Sequence, residues 1–186
     1  MTPLASLWLP ILLSSVFVFV MSSVLHMVLP WHRTDYSKVP NEDAVSAALR
    51  GFSIPPGDYM MPRPDSRAEM ASPEFAEKVK KGPMVVMTVM PSGPMNMAGN
   101  LAQWFGFLVI VSLFAAYITG RAVGAGAAPM RVVQLAAATA FVAYGVGLWP
   151  MSIWYRRSWG TTFKSSVDGL IYGLITGATL AWLWPK

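Results

Sequence analysis

Long stretches without an acidic or basic side chain constrain this chain more than any other feature. No Asp, Glu, Lys or Arg precedes Arg33, and Leu7–Leu29 is predominantly apolar. A helix needs about 20 such residues to cross a bilayer. Trp8 and Trp31 flank the run, as interfacial aromatic belts do. A second gap extends from Gly82 to Gly120, and Pro83, Pro91 and Pro94 break its first half, leaving a span over 101–119. A third gap lies between Arg131 and Arg156 and predicts a span over 132–149 that stops at Pro150. The last lies between Asp168 and Lys186 and predicts a span over 167–185, with Trp182 and Trp184 at its far edge.

The expected fold is therefore an all-α membrane protein with four transmembrane helices and a long, partly structured extramembrane loop between the first two. Residues 1–31 carry the first helix, 32–100 the loop, and 101–186 a three-helix bundle. Composition agrees. Only 12% of residues are charged, against about 25% in ordinary soluble domains, too few to cover a globule. The net charge of +5 sits beside apolar runs, so it marks topology and lipid-headgroup contact; nucleic acid is not an expected partner. With no cysteine, disulfides, thiolate metal sites and cysteine nucleophiles are excluded. The N-terminus has no basic n-region, and its apolar run exceeds the ~7–15 residues of a signal peptide. It is expected to be a retained helix.

The loop carries local signals. Asn41 is placed to cap a short helix that opens with Glu42 and Asp43 and closes at Arg50-Gly51. Ser72-Pro73-Glu74 starts a second, ending at Lys80-Lys81-Gly82. Both put acids at the positive end of the helix dipole and bases at the negative end. Ile54–Tyr59 and Met61–Pro64 read as turns and polyproline-like coil, and Met84–Met90 as a short buried strand or a segment lying on the membrane. Four spans put 11 of the 14 Lys and Arg on the face of the long loop and three (Arg121, Arg131, Lys186) on the other. The positive-inside rule then makes the loop cytoplasmic and both termini periplasmic.

Several patterns bear on function. Gly169, Gly173, Gly177 and Ala181 share one helix face, where small residues admit close backbone approach. Ala143 and Gly147 form a shorter version on the third helix, with Gly106 a further candidate. The ordinary reading is packing of the fourth helix on the third; the sharper one is a subunit interface. Ser165 and Asp168 fit a capping box at the start of the fourth helix. His26 is the only ionisable side chain well inside a span, which makes it a candidate for haem or pigment ligation or proton relay, though a neutral histidine bonded to a neighbouring helix is the plainer account. Met84, Met87, Met90, Met95 and Met97 would suit Cu(I) if three thioethers converged; methionine is equally a flexible filler of apolar contacts. Trp154, Arg156, Arg157 and Trp159 combine aromatic and basic character at a membrane edge, fitting lipid phosphates or a docking subunit. No phosphate-loop, HExxH or dinucleotide pattern is present.

The run Lys81–Pro94, with Ser152-Ile153-Trp154-Tyr155 and Asp168-Gly169-Leu170-Ile171-Tyr172-Gly173, resembles a group of uncharacterised bacterial four-helix inner-membrane proteins. The resemblance covers most of the chain and implies four helices and a bacterial inner membrane, with no activity. The leading expectation is a non-catalytic accessory subunit of a larger membrane complex, respiratory or of reaction-centre type, with other membrane subunits as partners and no cofactor. A small transporter or ion-handling protein comes second. Pigment, haem or copper handling through His26 or the methionine cluster comes third.

Overall fold

The computed structural model describes all 186 residues. In chain order the elements are α1 (Trp8–Ser23), α2 (Glu42–Gly51), β1 (Gly57–Met61), α3 (Arg67–Met70), α4 (Pro73–Lys81), β2 (Val85–Val89), α5 (Met97–Ala122), α6 (Pro129–Tyr144), α7 (Trp149–Tyr155) and α8 (Trp159–Trp182). They form two compact units: Met1–Ser37 with Asn96–Lys186, and Lys38–Met95.

The first unit is a helical bundle. A 3-10 turn at Leu4–Leu7 and a π-helical turn at Val24–Val28 extend α1 in both directions. Three helical rods are long and apolar enough to cross a membrane: Leu4–Val28, Met97–Ala122 and Pro129–Tyr155. Each buries only 28–33% of its most apolar window. The remainder, including Phe17, Val20, Ile110, Phe114 and Ile118, is exposed. So much outward apolar surface on neighbouring rods exceeds what a soluble monomer tolerates. The hydroxyls inside these helices are mostly spent on their own helix. Ser14 and Ser15 donate to the Ile11 carbonyl, and Ser23 to that of Phe19, as a hydroxyl removed from water requires.

The fourth long helix, α8, is not among those three apolar rods; Asp168 and its many glycine, serine and threonine residues lower its hydropathy. It begins at Trp159, well before 167, and Pro150 starts the short helix α7 rather than ending structure. Ser165 donates to the Thr161 carbonyl, mid-helix, so the expected capping box with Asp168 does not exist. Helix α8 lies closely against α6. A Cβ built on Gly173 would stand 2.8 Å from the Ala137 carbonyl oxygen, one on Gly177 2.9 Å from that of Val133, and one on Gly169 2.7 Å from the Gly145 nitrogen. The complementary face of α6 is thus Val133, Ala137, Phe141 and Gly145. Ala143 and Gly147 are exposed on another face, and a Cβ on Gly106 would meet nothing within 4 Å. Those three small residues take no part in the contact.

Both chain termini lie at one end of the bundle. The Thr2 amide donates to the Gly120 carbonyl, the Gly126 amide to that of Pro185, and the Trp184 indole to that of Gly124.

The second unit contains α2, α3, α4 and an antiparallel pair of strands in register from Gly57↔Val89 to Met61↔Val85. The apolar segment before Pro91 does form a strand. Its partner β1 occupies residues expected to be coil, and α3 is an additional short helix. Ser72 caps α4 by accepting from the Phe75 amide. Asn41, in a left-handed conformation, makes no side-chain cap. No residue from Lys38 to Met95 is buried.

Leucine at Gly173 must push α8 off α6. Overpacking of this kind costs about 1–3 kcal/mol, so Gly173→Leu lowers the thermal midpoint in detergent. Gly106→Leu, with open space around it, leaves the midpoint unchanged.

Candidate functional site

The polar chemistry of the bundle collects at the end opposite the termini. The π-helical turn Val24–Val28 carries His26, a 3-10 turn at Pro30–His32 follows at once, and the reversal lays the two imidazoles face to face. Their centroids are 4.2 Å apart and their planes 7° from parallel. π-turns are uncommon and recur at functional sites. Here the turn sets the position of His26 above His32.

His32 lies between two carboxylates. Its Nδ1 is 2.6 Å from Asp35 Oδ2, and its Nε2 is 2.8 Å from Asp168 Oδ2 on α8. The Lys164 ammonium, one turn before Asp168, donates to Asp35 Oδ1 at 2.9 Å and to the Thr34 hydroxyl at 2.8 Å. It also stands 6.0 Å from the centre of the Trp31 ring. A chain of contacts therefore runs from Lys164 through Asp35 and His32 to Asp168, tying the segment after α1 to α8.

Burial pushes the Asp35 carboxyl upward. The hydrogen bonds and charges of His32 and Lys164 together outweigh it and hold the group below the ordinary carboxylate range. Asp168 is more enclosed, with 5% of its side chain exposed, and its Oδ1 accepts no hydrogen bond. The contact of His32 Nε2 with Asp168 lacks hydrogen-bond alignment, so that nitrogen is also unpartnered. The nearest ligand atoms of His26, His32 and Asp168 all lie within 4.8 Å of one another. His26 also lines a groove of about 440 Å³ with Ser22, Ser23, Met27, Met97, Leu101 and Trp104. The Trp104 indole closes one wall by donating to Ser22 Oγ at 3.0 Å.

His26 bonds within its own helix: Nδ1 is 3.0 Å from the Ser22 carbonyl oxygen. A bond to a neighbouring helix is not what holds it. The methionines are dispersed. Met87 sits half-buried opposite Tyr59 on the strand pair, Met84, Met90 and Met95 are exposed, and Met97 belongs to the helical unit. Trp154 and Trp159 are exposed, Arg156 takes a left-handed conformation at the end of α7, and the Arg157 amide donates to the Met151 carbonyl. Trp149 packs edge-on against Trp159 at 6.4 Å and donates to Ser166 Oγ.

Sequence reasoning missed His32, Asp35, Lys164 and Asp168 as members of a site. One signal was available: Asp168 is the only acid after Glu77 and lies next to an apolar run, where an ionisable group demands a partner. The capping-box pattern drew attention away from it. No family model matches the chain, and neither a curated protein nor a solved structure matches it.

The lowered Asp35 carboxyl fixes a pH signature. A depressed native value contributes stability above the unfolded value, and that contribution disappears as pH falls through the native one. With chelator present, Asp35→Asn should therefore melt below the unsubstituted protein at pH 7. The gap should narrow as pH falls below about 4, which thermal melts across a pH series will read.

Proposed function

We propose that this chain is a non-catalytic subunit of a larger bacterial inner-membrane assembly, acting through protein–protein contact. One observation carries the reading: the unit Lys38–Met95 has helices and paired strands but no buried residue. Two strands alone are marginal in water, and a piece of this size needs a core, a metal, a cross-link or a partner to hold its shape. Its apolar side chains are large and outward: Phe52 is 77% exposed, Met90 68% and Val86 51%. A partner surface supplies the missing core.

In this reading α8 is a fourth membrane span, less apolar than the others because α6 covers its glycine face. Support comes from its 24-residue length and from its C-terminal end, which reaches the end where the N-terminus lies. The 11 Lys and Arg on the loop side then make the second unit cytoplasmic, with the termini periplasmic. Trp154, Arg156, Arg157 and Trp159 lie at the cytoplasmic edge, against lipid phosphates or a neighbouring subunit.

Two measurements test this. Cysteines placed singly at Asp58 and Ala125 are challenged with an impermeant thiol reagent on intact cells: Ala125→Cys labels and Asp58→Cys does not, and the opposite pattern reverses the topology. For the assembly, the protein is purified in mild detergent and its native mass determined. It should travel with partner subunits, and Phe52→Asp with Val86→Asp should release them. Because both positions are exposed, the melting of the isolated chain should move by no more than about 0.5 kcal/mol each. A lone chain of its own mass under every mild condition would refute the reading.

A further inference from the structure

We propose that His26, His32 and Asp168 bind one divalent first-row transition-metal ion of the zinc class. The inference stands apart from the assembly reading, since all three residues belong to the helical unit of this chain.

The argument begins with where the protons are. The Ser22 carbonyl can only accept, so His26 Nδ1 carries a hydrogen and donates it there at 3.0 Å. Its Nε2 lone pair is left free. Asp35 accepts from the Lys164 ammonium through Oδ1, and its Oδ2 lies 2.6 Å from His32 Nδ1, so that nitrogen is the donor. The His32 Nε2 then faces Asp168, whose Oδ1 is buried with no donor. The nearest ligand atoms of the three residues lie within 4.8 Å of one another, and acceptors brought together repel unless a cation joins them. A proton on His32 Nε2 is the smallest candidate. It would serve one oxygen of Asp168, in a contact that lacks hydrogen-bond alignment, and would leave Asp168 Oδ1 and His26 Nε2 unpartnered. A metal ion satisfies all three side chains together.

The donor set selects the ion. Two imidazole nitrogens and one carboxylate suit zinc(II), iron(II) and cobalt(II); calcium and magnesium prefer all-oxygen sites, and copper(I) prefers sulfur. The outer contacts are those that metal-binding histidines use. One ring is held by a carboxylate and the other by a backbone carbonyl, each fixing the tautomer with Nε2 outward. Lys164 in turn anchors Asp35. A tetrahedral ion with bonds of roughly 2.0–2.1 Å keeps its ligand atoms roughly 3.3 Å apart. The widest pair must therefore draw in by at most about 1.5 Å, with the stacked rings splaying. His26 is exposed and has room to turn. Three protein ligands leave a coordination position open, and the groove beside His26 gives access to it.

The test uses the full chain in mild detergent, carrying no polyhistidine tag, stripped with chelator and exchanged into chelator-free buffer. Calorimetry with zinc(II) should show one saturable equivalent, with protons released on binding. Cobalt(II) should give visible ligand-field bands of a mixed nitrogen–oxygen site. His26→Gln, His32→Gln and Asp168→Asn should each weaken zinc binding by at least about 100-fold, and Asp35→Asn by about 10–100-fold; gel filtration confirms that each variant is folded. His26→Gln is the decisive variant because its side chain is exposed and packs only at the bundle surface, against the His32 ring. Absence of saturable binding to the unsubstituted chain overturns the proposal. So does binding that His26→Gln leaves unchanged, or a cobalt spectrum of the hydrated ion.

Discussion

The backbone approach of α6 and α8 sets the azimuth of every side chain on the last helix. Gly169, Gly173 and Gly177 stand where a Cβ would strike backbone atoms of α6. At that separation α8 can neither rotate nor slide without creating a clash. Dispersion between closely packed surfaces is what holds helices together when lipid removes the hydrophobic drive between them. Asp168 is the residue just before Gly169, about 100° around the helix, so locking the glycine face to α6 points the carboxylate elsewhere. It points at His32. The polar site therefore depends on an apolar contact on the neighbouring face of the same helix.

Electrostatics closes the other side of that end. A carboxylate with one-twentieth of its side chain exposed costs several kcal/mol to desolvate unless it is paired. The sequence supplies its partners from a segment more than a hundred residues earlier. The π-turn and Pro30 fold that segment back so that both histidines reach α8, while Lys164 reaches Asp35 from α8 in return. Two crossing contacts, His32 with Asp168 and Lys164 with Asp35, fix the register of the segment after α1 against α8. Removing Lys164 strands the Asp35 carboxylate as an uncompensated buried charge, which is more disruptive than the loss of the pair itself.

How much of this the sequence disclosed follows the range of each signal. The three long apolar rods were legible because charge exclusion acts residue by residue over about twenty positions, and the Ser72 cap because it is complete within four. The glycine stripe was legible, and so was the helix it packs on, but the face of that helix was not. Ala143 and Gly147 have the right spacing and the wrong azimuth, and only the three-dimensional docking selects Phe141 and Gly145, each two residues earlier. The strand Gly57–Met61 was hidden because its pairing lies about thirty residues downstream, across two helices, and its glycine and the prolines that flank it mimic a turn. Asp168 was hidden by a local pattern: Ser165 and Asp168 satisfy the capping-box spacing, yet Ser158 and Trp159 start the helix two turns earlier. His32 was hidden because nothing in its neighbourhood shows that a residue in the last helix returns to meet it.

The two units differ in what holds them, and that difference bears on how each can respond to its surroundings. The helical unit has a continuous apolar core from Leu7 to Leu180 and the ion-paired end just described. The chain leaves it after Ser37, directly beyond the anchored Asp35, and re-enters at Asn96, whose side chain caps α5 by accepting from the Gly99 amide. Both junctions are thus pinned by polar contacts made inside the helical unit. The segment between them is held by one pair of strands and short capped helices, with nothing buried. Its low contact density puts it at the weak end of the local stability scale.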